Sequence, residues 1–105
     1  MALETLLWIA FITTATAGIA TIFIARLVMN EVVNWFRERS KIKLANKDNI
    51  AFTLQKKLDS GNFKTVQGVF DTGRSEIKAV RAIESERMDP EMQNLHRNSE
   101  LVVYE

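Results

Sequence analysis

The sequence predicts an α+β protein with a transmembrane helix. An N-terminal single-span helix continues into a basic juxtamembrane helix, followed by a small α-β-β-α-β domain built on a three-stranded antiparallel sheet. Three observations carry this expectation. Residues 5–25 contain no charged side chain. All six Lys/Arg of residues 1–47 lie beyond that run, against three Asp/Glu in the same stretch. From residue 48 onward the apolar residues shorten into alternating and clustered groups separated by turn-forming residues.

The apolar run is long enough for a span. At about 1.5 Å per helical residue its twenty-one residues reach roughly 30 Å, the thickness of a bilayer's hydrocarbon core. A cleavable signal peptide fits less well, because Glu4 is the only charge before the run and no basic segment precedes it. Arg26, Arg37, Arg39, Lys41, Lys43 and Lys47 follow it, so the positive-inside rule puts the N-terminus outside and the C-terminal domain in the cytoplasm. Ala10, Thr14, Ala17, Gly18 and Thr21 form a stripe of small residues at helical spacing, the pattern that lets neighbouring membrane helices approach closely.

Residues 29–45 contain no Gly or Pro and are expected to continue the helix. Trp35, Arg37, Arg39, Lys41 and Lys43 are its candidate contacts to lipid headgroups, each cation contributing about 1 kcal/mol near an anionic leaflet. The expected domain limits are 1–29 for the span, 30–47 for the basic amphipathic helix and 48–105 for the cytoplasmic domain.

Within that domain, Asp48 or Asn49 is placed to cap a helix over 50–58, with Ile50, Leu54 and Leu58 on one face and Gly61 as its stop. Residues 63–71 and 76–84 read as a β-hairpin around Thr72-Gly73-Arg74-Ser75. Val66, Gly68 and Phe70 share one face of the first strand. Ile77, Ala79 and Ile83 share a face of the second, with Arg81 as the exception. Asp89-Pro90-Glu91 signals a helix over 90–97, and residues 101–104 a third strand pairing with the hairpin. A three-stranded sheet of this kind leaves an edge open to another chain.

Little in the chain points to catalysis. The sequence has no cysteine, which removes thiolate catalysis and thiolate metal sites. His96, the one histidine, sits in a polar stretch and reads as a surface residue. Glu84, Glu86, Asp89 and Glu91 lack the spacing of a calcium loop and read as capping and solubilising charges. Asp71-Thr72-Gly73 matches the aspartic-protease tripeptide, but three residues in a hairpin turn define no active site. The four glycines are isolated, so no phosphate-binding loop occurs. The net charge of +1 offers no nucleic-acid footprint.

The expected function is therefore that of a non-enzymatic, single-pass membrane accessory or assembly subunit. Its partners would be membrane lipids and other membrane subunits or further copies of itself, with no cofactor, metal, nucleic acid or small-molecule substrate. A membrane-tethered adaptor for a soluble partner and a homo-oligomeric membrane scaffold are the alternatives.

Overall fold

The computed structural model describes residues 18–104, which form one five-stranded mixed sheet with three short helices on one of its faces. In chain order the elements are β1 (Thr21–Leu27), α1 (Met29–Glu38), α2 (Ser40–Leu44), β2 (Asn49–Lys57), β3 (Phe63–Asp71), β4 (Glu76–Met88), α3 (Pro90–Leu95) and β5 (Leu101–Tyr104). The strand order is β1-β4-β3-β2-β5. Only the β1–β4 pair is parallel, running from Thr21 opposite Ala82 to Leu27 opposite Met88.

This architecture corrects the expected fold in four places. The C-terminal part of the expected span is a strand: Thr-Ile-Phe-Ile carries β-branched and aromatic side chains that suit a pleated surface. Residues 5–17 of the span lie outside the described residues. No described helix is long and apolar enough to cross a membrane, so the transmembrane helix and single-pass reading are not supported. The juxtamembrane helix is not continuous, because Arg39 at φ −111°, ψ 19° separates α1 from α2. Residues 49–57 are a strand where a helix was expected. Ile50 and Leu54 also fit a two-residue period once Phe52 joins them, and Phe52 is fully buried beneath the sheet. Finally, β5 pairs with β2 and not with the hairpin, so the sheet has five strands where three were expected.

The β3–β4 hairpin forms at its expected turn, but β4 runs on to Met88 and so gives β1 a parallel partner. Asp71 Oδ1 shapes the turn by accepting the backbone N–H groups of Gly73 at 2.9 Å and Arg74 at 3.2 Å. The Asp-Thr-Gly tripeptide is thereby a turn-building unit anchored by the buried Asp71, the usual local bonding of aspartate in turns. A register shift between Val69 and Phe70 moves Ile77 to the face opposite Ala79 and Ile83, where it packs with the Phe70 cluster.

Each face of the sheet carries its own core. On the helix-covered face, Leu27, Val32, Ile83, Met88 and Met92 are buried together, flanked by Ile24, Met29, Phe36 and Phe63. Met29, Val32 and Phe36 recur at three- and four-residue spacing, which turns one side of α1 onto the sheet. On the other face Phe52, Leu54, Val66, Phe70, Ala82 and Leu101 form the second core, with Ile19, Ile50, Ile77 and Val80 against it.

Asp89 joins β1, α1 and α3. It was expected to cap α3, but its side chain makes no bond to that helix. Its Oδ2 accepts the Met29 N–H at 3.0 Å, at the start of α1, and its Oδ1 accepts from Arg26 at 2.8 Å. The Met29 N–H is the main cause, with Arg26 beside it, that holds the Asp89 carboxyl below its ordinary pKa.

Candidate functional site

Three places on the described surface combine accessible side chains with a defined geometry: a half-buried polar chain at α3, a cleft between the helices and β5, and the outer edge of β1.

The polar chain links three elements. His96, at the end of α3, places Nδ1 3.1 Å from the Ser99 carbonyl and Nε2 2.7 Å from Thr53 Oγ1 on β2. Thr53 Oγ1 is also 2.7 Å from the Tyr104 hydroxyl on β5. Every bond is made if Nδ1–H donates to Ser99, Thr53 O–H donates to Nε2, and Tyr104 O–H donates to Thr53 Oγ1. His96 is thus a half-buried tether and not the surface residue expected. Burial is the main reason its pKa lies below the ordinary histidine value, with the backbone bonds at Ser99 and Glu100 acting in opposition. Burial likewise raises the Tyr104 pKa, against the bond to Thr53.

The unfolded chain takes up a proton near pH 6.5 and the folded chain only at lower pH. As pH falls through that window the unfolded state binds more protons and stability declines. Because the sequence has one histidine, urea melts at pH 7.5 and pH 5.5 should show this loss directly. His96→Gln should flatten it. Equal pH dependence in the variant would show that the decline originates elsewhere.

A second polar group holds α1 to the sheet. Gln67, fully buried on β3, donates from Nε2 to the Val32 carbonyl at 2.8 Å and accepts from Arg81 Nε at 2.7 Å. The Arg81 guanidinium lies 5.5 Å from the Trp35 ring centre and that of Arg39 lies 4.0 Å from it. Both contacts are within cation–π range. Desolvation is the main cause lowering the Arg81 pKa, opposed by Glu31.

The cleft has a volume of about 450 Å³. Val33, Phe36 and Arg37 of α1 form one wall and Ser40, Lys43 and Leu44 of α2 another, over Ala51 of β2 and Tyr104 of β5. The Phe36 and Tyr104 ring centres are 5.2 Å apart. Leu44 is 80% exposed at the lip.

The two sheet edges differ. On β5, the bond from Gln55 N–H to the Glu100 carbonyl at 2.8 Å sets the antiparallel alternation, which turns the Leu101 and Val103 backbone outward. Ser99 Oγ then occupies both Leu101 groups, donating to its carbonyl at 2.8 Å and accepting its N–H at 3.3 Å. On β1, no described strand pairs with the outer side. Residues 21–25 carry no charge, Pro or bulge, the devices that commonly protect an edge. Phe23 is 73% exposed and Ile22 50% exposed, on opposite faces of the strand.

The residues singled out in the sequence scatter over this structure. Ala10, Thr14 and Ala17 of the small-residue stripe lie outside the described residues. Gly18 is exposed in a turn and Thr21 begins β1 opposite Ala82, so neither belongs to a helix. Of the headgroup candidates, Trp35 is 8% exposed beneath Arg39 and Arg81. Arg37 and Lys43 flank the cleft, while Lys41 faces a separate depression with Arg74 and Lys78. Glu84 accepts from Asn62 Nδ2 at 2.9 Å, and no group of three metal-ligating side chains gathers among the described residues. Sequence reading missed Thr53, Gln67 and Ser99. Polar residues at inward positions of otherwise apolar strands were the signal for the first two.

Comparison with protein-family models, curated proteins and solved structures finds no match to this chain.

Proposed function

We propose that this protein is a non-enzymatic subunit of a protein assembly, and that it docks by adding a partner strand to the outer edge of β1. The observation that carries the reading is the uncharged stretch of residues 21–25, whose outer side no described strand covers, with Phe23 and Ile22 exposed on its two faces. A partner strand would satisfy the outward backbone groups and remove both side chains from water, as in other strand-addition complexes. The titratable groups with displaced pKa values offer no competing reading. Asp89, Arg81, His96 and Tyr104 each take part in bonds that hold one element to another.

A second copy is also a suitable partner. Two β1 strands running antiparallel would bring no like charges face to face over residues 21–25, and Arg26 is already paired with Asp89 at 2.8 Å. A two-fold pairing of this kind is self-complementary.

The test is the mass of the purified full chain in solution, together with the proteins recovered with it in stoichiometric amount. Phe23→Lys should abolish the dimer or release the partner while the circular dichroism spectrum stays unchanged, because Phe23 is an exposed residue. An assembly that survives this substitution would place the contact elsewhere and defeat the proposal.

A further inference from the structure

We infer that the cleft between α1, α2 and the β2–β5 end of the sheet binds a free single-chain anionic amphiphile of the fatty-acid class. Its alkyl chain lies over Phe36, Leu44, Ala51 and Tyr104, and its carboxylate lies between Arg37 and Lys43. This site is at the opposite edge of the sheet from β1 and is independent of the docking role proposed there.

The size comes first. About 450 Å³ lies within the roughly 300–1,000 Å³ typical of small-molecule sites. The distribution of polarity comes second. The lining consists mainly of aliphatic and aromatic side chains, and the Tyr104 hydroxyl is engaged with Thr53 at 2.7 Å. A peptide laid along the cleft would bring backbone N–H and C=O groups to a surface with few partners, a costly burial. At Leu101 it also could not extend the sheet, because Ser99 Oγ occupies both outward groups there. An alkyl chain has no polar group to satisfy.

Charge selects the headgroup. Among the described residues, Arg37 and Lys43 line the cleft without an acidic neighbour in the lining, and neither pairs with a carboxylate. The Arg37 guanidinium makes only a weak polar contact among the described residues, to Asn34 Oδ1 at 3.5 Å. A carboxylate between the two cations would gain charge-assisted hydrogen bonds, and the Ser40 hydroxyl in the same lining offers a further donor. Burying the alkyl chain would also cover Leu44, which is otherwise largely in water.

The experiment titrates dodecanoate, below its micelle concentration, into the isotopically labelled full chain and follows backbone amide shifts. The expected result is saturable one-to-one binding with the largest shifts at Leu44, Ala51 and Tyr104. Arg37→Glu combined with Lys43→Glu should weaken dodecanoate about tenfold or more and leave uncharged dodecanol unaffected, the loss expected for charge-assisted bonds. Leu44→Glu should weaken both probes, and as an exposed residue it should leave the fold intact. Absence of saturation, or binding indifferent to the charge reversal, would overturn the inference. So would sedimentation of the protein with phosphatidylglycerol vesicles while free dodecanoate fails to saturate, since the cations would then serve a lipid surface.

Discussion

Truncating Phe52 to alanine is expected to cost about 3–5 kcal/mol, a large part of what a domain of this size has. Phe52 is fully buried and lies directly opposite Gly68 in the β2–β3 ladder. A Cβ added at Gly68 would stand 3.0 Å and 3.1 Å from two atoms of the Phe52 ring and 2.5 Å from the Ala79 carbonyl oxygen. The ring therefore occupies the space that a side chain on β3 would otherwise claim. Gly68→Ala is expected to cost about 1–3 kcal/mol on its own, because the Ala79 oxygen is backbone and can retreat only by distorting the β3–β4 pairing. In the double variant one of the two clashes is gone, so the combined loss in urea melts should fall short of the sum. Strict additivity would mean that the ring and the glycine do not share this space.

The second large effect concerns Gln67. Gln67→Leu should cost about 1–3 kcal/mol, since it strips the Val32 carbonyl and Arg81 Nε of partners at once. Arg81 is only partly buried and can recover some hydration, which keeps the loss toward the lower part of that range. The Trp35 fluorescence, read in a Trp8→Phe background, should shift as well, because Gln67 holds the Nε of Arg81, whose guanidinium stands 5.5 Å from that ring. If Gln67→Leu melts like the parent protein with unchanged Trp35 emission, the bond contributes nothing to the docking of α1. Gln67→Leu with Arg81→Leu should regain part of the loss, because no buried donor is then left without its acceptor.

These residues also show where the sequence was legible. The hairpin was, because Gly73 and its neighbours mark a turn between two runs of strand-forming residues. The start of α3 was legible for the same kind of local reason, Pro90 behind Asp89. β2 was not. Ile50, Leu54 and Leu58 fit a helix, and only Phe52 argued for alternation, a choice that tertiary pairing with β3 and β5 decides. β1 was hidden by its setting. Its composition belongs to a longer apolar run, and its partner on β4 lies some sixty residues away in the chain. Of the candidate sites, the cations Arg37 and Lys43 could be picked from the sequence, but their apolar cleft could not. It exists only because Arg39 breaks the helix and Tyr104 closes the floor from the far end of the chain. Arg81 stood out as a charge on an apolar strand face. What answers it, Gln67 on the neighbouring strand, is visible only in the ladder register.

The small hydroxyl of Ser99 has a consequence at the scale of many molecules. A sheet with two bare margins can recruit neighbours indefinitely, each newcomer offering a fresh margin to the next, and the product is a fibre. Here one margin is only four residues long and its Leu101 groups are taken by Ser99 Oγ, so two molecules joined through β1 would expose short, half-sealed ends. Further growth by strand addition would be disfavoured beyond a pair. An apolar, uncharged border could then serve association with less tendency to polymerise.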